Sequence, residues 1–158
     1  MSPSWAAVKT LVRQRFPQVR QLSTQALADW LARSEGQRPL LLDTRAAAEY
    51  AVSHLQGAQL APSDPEALQN WPGVDRQRPI VVYCSVGYRS SAYGEKLQAL
   101  GYQNVYNLEG SIFQWVNEGR PVYRADREVQ SVHPYDGVWG RLLDRQFHSQ
   151  DSSHSGWN

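Results

Sequence analysis

The sequence predicts an α/β domain: a small, mostly parallel sheet flanked by helices on both faces. Two short apolar runs, 39-PLLLDTR-45 and 80-IVVYC-84, carry that expectation, because unbroken apolar strands are those covered on both sides. Between residues 19 and 118, strand candidates alternate with helical patterns, as parallel strands joined by helical crossovers require.

Trp5, Val8 and Val12 fall at helical spacing within residues 4–16, so a short amphipathic helix should end near Pro17. A brief strand is expected at residues 19–22. Ser23 or Thr24 can cap a helix whose Leu27, Trp30 and Leu31 share one face, with Gly36 beyond its end. The run at residues 39–45 turns polar at Asp43, where a buried strand would emerge from the core. A helix is expected over residues 46–55, then Gly57 and a short strand at 58–61. Pro62, Pro65, Pro72, Gly73 and Pro79 punctuate the next stretch, leaving room only for turns, loop and a short helix at 66–71. After the second apolar run, a helix presents Tyr93, Leu97 and Leu100 on one face and stops at Gly101. Residues 104–108 read as a strand. Ser111 can cap a last helix with Ile112, Trp115 and Val116 inward, closed by Gly119 and Pro121.

Residues 122–147 include Val129, Val132, Tyr135, Val138, Trp139, Leu142, Leu143 and Phe147 without a clean period. They should fold back on the domain or meet a partner, and 133-HPYDGVWGRLL-143 could dock a partner or fold over the site. The polar end, 149–158, should be disordered. The expected organisation is an N-terminal helical extension (1–18), one domain (19–124) and a C-terminal extension (125–158).

Composition narrows the function classes. The chain has 158 residues, 41% of them apolar, which suits one globular domain. A net charge of +1 gives no electrostatic case for nucleic acid or a membrane surface. The single cysteine forms no internal disulfide and no C-x-x-C pair. His54, His133, His148 and His154 lack metal-ligand spacing with it, and no phosphate-binding or dinucleotide glycine loop is present. No apolar run approaches a membrane span, and Lys9, Arg13, Gln14 and Arg15 interrupt any signal-peptide core. A cytoplasmic protein is therefore expected. Residues 1–28 contain no acidic residue, which reads as a solvated helix face, with a targeting segment as the alternative.

The chemistry concentrates in Cys84-Ser85-Val86-Gly87-Tyr88-Arg89-Ser90. In parallel α/β sheets, ligands sit beyond the carboxyl ends of the strands, and Cys84 closes a strand just before a helix. Converging loop N–H groups and a helix N-terminus both favour the thiolate, which is the nucleophilic form. Gly87 lets the loop curl without a Cβ clash, and Ser90 or Ser91 can cap the helix. The alternative is a packed core thiol; the glycine, arginine and serines of the loop favour a functional one. Arg89 can clamp an anionic substrate or pair with Asp43 or Glu49, and the second role is preferred because a cation opposes the dipole at a helix start. Asp43 and Arg45 should support the site from the neighbouring strand. His54 is a candidate base, although a fixed backbone hydrogen bond suits it better.

Four separated segments together resemble the rhodanese (thiosulfate sulfurtransferase-like) family: 40-LLLDTR-45, 49-EYAVSHLQGA-58, 80-IVVYCSVGYRSS-91 and 98-QALGYQNVYNLEGSIFQWVNEGRPV-122. The resemblance covers about residues 19–124. It implies a sulfurtransferase in which Cys84 attacks a donor such as thiosulfate, carries the sulfur as a persulfide and passes it to a thiol or cyanide. A protein acceptor is a further option. Backbone N–H groups of residues 85–90 would stabilise the sulfur anion, and Asp43, Arg45, Glu49 and His54 would support the site. No cofactor and no metal are implied. The same fold serves a cysteine-dependent phosphatase and arsenate-reducing branch, whose loop holds one more residue than the four between Cys84 and Arg89. Other members of the family are non-catalytic binding modules, usually lacking the cysteine.

Overall fold

The computed structural model describes residues 3–149. The chain runs α1 (Trp5–Arg15), β1 (Arg20–Leu22), α2 (Thr24–Leu31), β2 (Leu40–Asp43), α3 (Ala47–Val52), β3 (Gln59–Leu60), β4 (Ile80–Tyr83), α4 (Tyr88–Ala99), β5 (Val105–Leu108), α5 (Ser111–Asn117), β6 (Val122–Arg124) and β7 (Arg127–Val129). Short 3-10 turns occupy Glu35–Gln37, Pro65–Asn70, Trp139–Leu142 and Arg145–Phe147.

Five strands form one parallel sheet in the order β1-β5-β4-β2-β3. In β2 and β4 every residue is buried, and successive side chains serve opposite faces. Leu41, Val81 and Tyr83 join a core with Val8 and Val12 of α1, Leu27 of α2 and Ile112 and Phe113 of α5. Leu40, Leu42, Ile80 and Val82 join the second, under Leu68 and Leu97 of α4. Helices therefore cover both faces. Leu42, Ile80 and Val82 are fully buried, each worth about 1.5–3 kcal/mol of transfer free energy. Gly94 sets the approach of α4 to the sheet: a Cβ there would sit 3.3 Å from Val105 Cγ1.

Helix starts depart from the expected caps in an informative way. Ser4 and Ser23 do cap α1 and α2, accepting from Ala7 N and Ala26 N. By contrast, α4 begins at Tyr88 behind Gly87, and α5 at Ser111 behind Gly110, both glycines being left-handed (φ 112° and 78°). Neither Ser90, Ser91 nor Ser111 is a cap, so their hydroxyls are free for other partners. The helix expected over residues 46–55 is shorter, because His54 leaves it to exchange backbone hydrogen bonds with Tyr123 at 2.8 Å each way. The helix expected at residues 66–71 is the 3-10 turn Pro65–Asn70.

Residues 122–149 fold back on the domain. β6 and β7 form an antiparallel hairpin, Ser53 Oγ donates to Ser131 O at 2.6 Å, and Val132, Leu142 and Leu143 enter the first core. Asn117 ties the return by donating to Leu142 O and accepting from Asp144 N, both at 2.8 Å. Ser149, the first residue of the stretch expected to be disordered, is ordered and donates its N–H to Val132 O at 3.0 Å. Residues 150–158 lie outside the described residues. No helix among the described residues is long and apolar enough to cross a membrane.

Candidate active site

Cys84 follows the last residue of β4 and is 1% exposed. The loop it opens is pinned from behind by the start of α5. Ser111 Oγ accepts from Cys84 N at 3.2 Å, while Ile112 N and Phe113 N donate to Cys84 O and Ser85 O at 3.1 Å. With its carbonyls held backward, the loop turns the Gly87 amide toward the sulfur. Gly87 N–H donates to Cys84 Sγ at 3.1 Å, a contact that stabilises negative charge on sulfur. Gly87 can do this because its φ of 112° is open to glycine; a Cβ there would also lie 3.2 Å from Asn107 Nδ2.

Ser90, on the first turn of α4, is fully buried with Oγ 3.3 Å from Cys84 Sγ and a second, shorter contact to Asn107 Oδ1. One hydroxyl proton faces two acceptors, so it serves Asn107 while the sulfur is protonated and can turn to a thiolate. Asn107 Nδ2 in turn donates to Gln21 Oε1 at 2.7 Å.

Glu49 ties the loop to α3. It is buried, and Arg89 Nη1 and Nη2 donate to its two oxygens at 3.3 and 3.2 Å. Ser85 Oγ donates to Glu49 Oε2 at 3.3 Å and accepts from Arg89 Nη2 at 3.1 Å. Burial opposes ionisation of Glu49, but the Arg89 hydrogen bonds and charge, with Ala46 N–H, hold its carboxyl below the usual range. Of the two acidic partners open to Arg89, the structure selects Glu49. Asp43 instead holds Arg45 (Nη2 to Oδ2, 2.7 Å) and accepts from the Tyr83 hydroxyl at 2.8 Å. Arg45 Nη2 also donates to Ser53 O at 2.6 Å. His54 stacks on Tyr50 with Nδ1 3.1 Å from Tyr50 O.

Above the loop lies a pocket of about 140 Å³. Cys84, Ser85 and Val86 line it together with Tyr88, Arg89, Tyr135 and Trp139. The last two come from the returning C-terminal segment, whose residues 133–143 were open to docking a partner or folding over the site; sequence reasoning missed the roles of Asn107 and Ser111. The Tyr135 ring centroid is 4.4 Å from the Arg89 guanidinium, and Phe16 meets Tyr88 edge-on at 5.1 Å. Among the described residues no cluster of three or more His, Cys, Asp or Glu could hold a metal ion.

Arg89→Ala is expected to cost stability more than turnover. Its side chain is about one-third exposed, so solvent screening limits the pair to about 1 kcal/mol, or a few degrees of melting temperature. Because the Glu49 carboxyl lies below its ordinary value, the contribution is complete above pH ~4.3 and lost as pH falls through the lowered value. Thermal melts of wild type and variant should therefore converge in acid. A large loss of rate with unchanged melting would instead make Arg89 a substrate clamp.

Comparison with known proteins agrees with this architecture. The Rhodanese-like domain profile matches residues 24–118. A sulfurtransferase from Allochromatium vinosum is 32% identical over 106 residues, covering 66% of this chain and 94% of that protein. A probable adenylyltransferase/sulfurtransferase from Mycobacterium tuberculosis is 30% identical over 104 residues, or 63% of this chain; the match spans only 25% of the relative's length. The homodimeric polysulfide-sulfur transferase of Wolinella succinogenes superposes with a TM-score of 0.59 at 25% identity, covering 75% of this chain and 88% of that one. The profile covers more than half of this chain, and the Allochromatium relative is matched over nearly its whole length; the chain belongs to the rhodanese-like domain family.

Proposed function

We propose that the protein is a sulfurtransferase that carries a sulfane sulfur as a persulfide on Cys84. The observation that carries this reading is the sulfur itself, buried at the floor of a pocket with Gly87 N–H at 3.1 Å and Ser90 Oγ at 3.3 Å. In the first half-reaction the Cys84 thiolate attacks the outer sulfur of a donor. With thiosulfate, the S–S bond to the sulfonate breaks and sulfite leaves with the electron pair. In the second, a thiol or cyanide attacks the terminal sulfur and the Cys84 thiolate leaves. The loop donors would stabilise the sulfur anion in both halves. Membership of a family with sulfurtransferase-named relatives supports this chemistry. Commitment of Arg89 to Glu49, rather than to open space over the sulfur, favours sulfur over a tetrahedral phosphate.

Mass spectrometry after treatment with excess thiosulfate, under non-reducing handling, should show one added sulfur atom on the peptide containing Cys84. Thiosulfonate serves as a second donor. A Cys84 peptide left unmodified by both would overturn the reading.

A further inference from the structure

Taking Cys84 as the sulfur carrier, we propose that its pocket selects donors whose reactive sulfur rides on an apolar, above all aromatic, body bearing a single negative charge, over the compact dianion thiosulfate. The proposal rests on the sulfurtransferase reading and adds which residues set donor preference: the aromatic walls Tyr88, Tyr135 and Trp139, tested with a thiosulfonate.

Charge is the first argument. Among the described residues, Arg89 is the only Lys, Arg, Asp or Glu lining the pocket. Both of its terminal nitrogens are engaged by Glu49, one also by Ser85, and its guanidinium faces the Tyr135 ring. The wall is thus neutralised before a substrate arrives. The loop amide at Gly87 meets the reactive sulfur, but the oxygens of a sulfonate would find no unengaged cation around them, and desolvating such a dianion is costly.

Shape is the second. Tyr88, Tyr135 and Trp139 give the mouth three aromatic walls. Among the described residues only four large apolar side chains are exposed; two of them, Tyr88 (39%) and Tyr135 (43%), line this mouth, and a third, Val138 (53%), adjoins Trp139. Exposed apolar surface gathered at one opening marks a binding surface. The pocket, about 140 Å³, is close to the ~150 Å³ in which an apolar cavity holds one benzene ring.

Pre-organisation is the third. Tyr135 has φ 67°, a conformation that a bulky residue keeps only when its surroundings impose it. Its N–H donates to His133 Nδ1 at 3.0 Å. Next to it, Asp136 Oδ1 accepts from Val138 N and Trp139 N at 3.0 and 2.7 Å. Both rings are therefore fixed on one folded strap, and Phe16 supports Tyr88 from the other side.

The step balances without a co-reactant. With a persulfide R–S–SH, the Cys84 thiolate bonds to the terminal sulfur, the R–S to S bond breaks and RS⁻ departs with the electron pair. With R–SO₂–S⁻, the sulfinate R–SO₂⁻ departs in the same way. No net oxidation occurs in either case.

The test compares benzenethiosulfonate with thiosulfate, using cyanide as acceptor, in the full-length protein. The readout is the ratio of kcat/KM for the two donors in wild type, Tyr135→Ala/Trp139→Ala and Tyr135→Phe. Intrinsic donor reactivity cancels between proteins. The ratio should fall at least about fivefold in the double variant, the scale of one lost ring-on-ring contact, and stay within about twofold of wild type in Tyr135→Phe. Tyr135→Ala alone, at an exposed position, supplies the measurement if the double variant fails to fold. A ratio unchanged by loss of the rings would overturn the proposal. Failure of both donors to load Cys84 would remove the persulfide reading, and this proposal with it.

Discussion

Cys84→Ser is expected to drop thiocyanate formation from thiosulfate and cyanide to the uncatalysed background, a loss on the order of 10³-fold or more. A serine hydroxyl is a far weaker nucleophile and cannot hold a transferable sulfur. The replacement is close to isosteric, and the hydrogen bonds from Cys84 N to Ser111 Oγ and from Ile112 N to Cys84 O use only backbone atoms of Cys84. Melting should therefore change little, separating chemistry from folding. Ser90 loses its sulfur neighbour but keeps Asn107, so no buried hydroxyl is stranded. Thiocyanate formation that survives in Cys84→Ser, measured by a discontinuous colour assay, would eliminate the persulfide mechanism.

The largest stability effect is expected one strand away. Asp43 and Arg45 have side chains with no solvent exposure. Asp43 accepts Arg45 N at 3.0 Å, Arg45 Nε at 3.0 Å and the Tyr83 hydroxyl at 2.8 Å. Burial works against the charge of Arg45, and the Asp43 carboxylate overcomes it, raising the guanidinium above its ordinary value. Arg45 Nη1 has no hydrogen-bond partner among the described residues, so the cation depends all the more on Asp43. Asp43→Ala strands that cation, and losing one member of a buried pair costs about 3–5 kcal/mol. For a chain of this size that is about 10 °C of melting temperature, a large share of a stability of about 5–15 kcal/mol. Combining Asp43→Ala with Arg45→Met removes the stranded charge, and scanning calorimetry should show part of the loss recovered. A single variant melting within a degree or two of wild type would show that water reaches Arg45.

The sheet was legible because β2 and β4 are covered on both sides, which leaves an unbroken apolar run in the sequence. Cys84 was legible because it ends such a run and meets a glycine three residues later. Other parts of the site left weaker traces. Ser111 stands where a cap would stand, but Gly110 and Ser111 are both left-handed (φ 78° and 51°), and the Ser111 hydroxyl accepts from Cys84 N instead. Asn107 had a usable signal, a polar residue inside an otherwise apolar strand, since buried amides must find partners. Arg89 was read correctly as needing an acidic partner, but the choice of Glu49 over Asp43 depends on α3 lying against the loop, which is a tertiary fact. For Tyr135 and Trp139, the sequence left open whether their segment docks a partner or folds over the site, and did not single out these two rings. They reach the pocket through 3-10 turns and a strap whose course is set by Asn117, Ser53 and the first core, not by any local period.

The single sulfur at the floor of this pocket has a kinetic consequence for the proposed mechanism. Donor and acceptor would both react at Cys84 Sγ through the same pocket, lined by Cys84. Loading and unloading would then alternate, with the first product gone before the second substrate enters. Double-reciprocal plots at several fixed acceptor concentrations should run parallel, the signature of ping-pong turnover, and a high concentration of either substrate should inhibit by occupying the wrong form of the enzyme. On the proposed persulfide reading, the chain would itself carry one sulfur atom between the two visits.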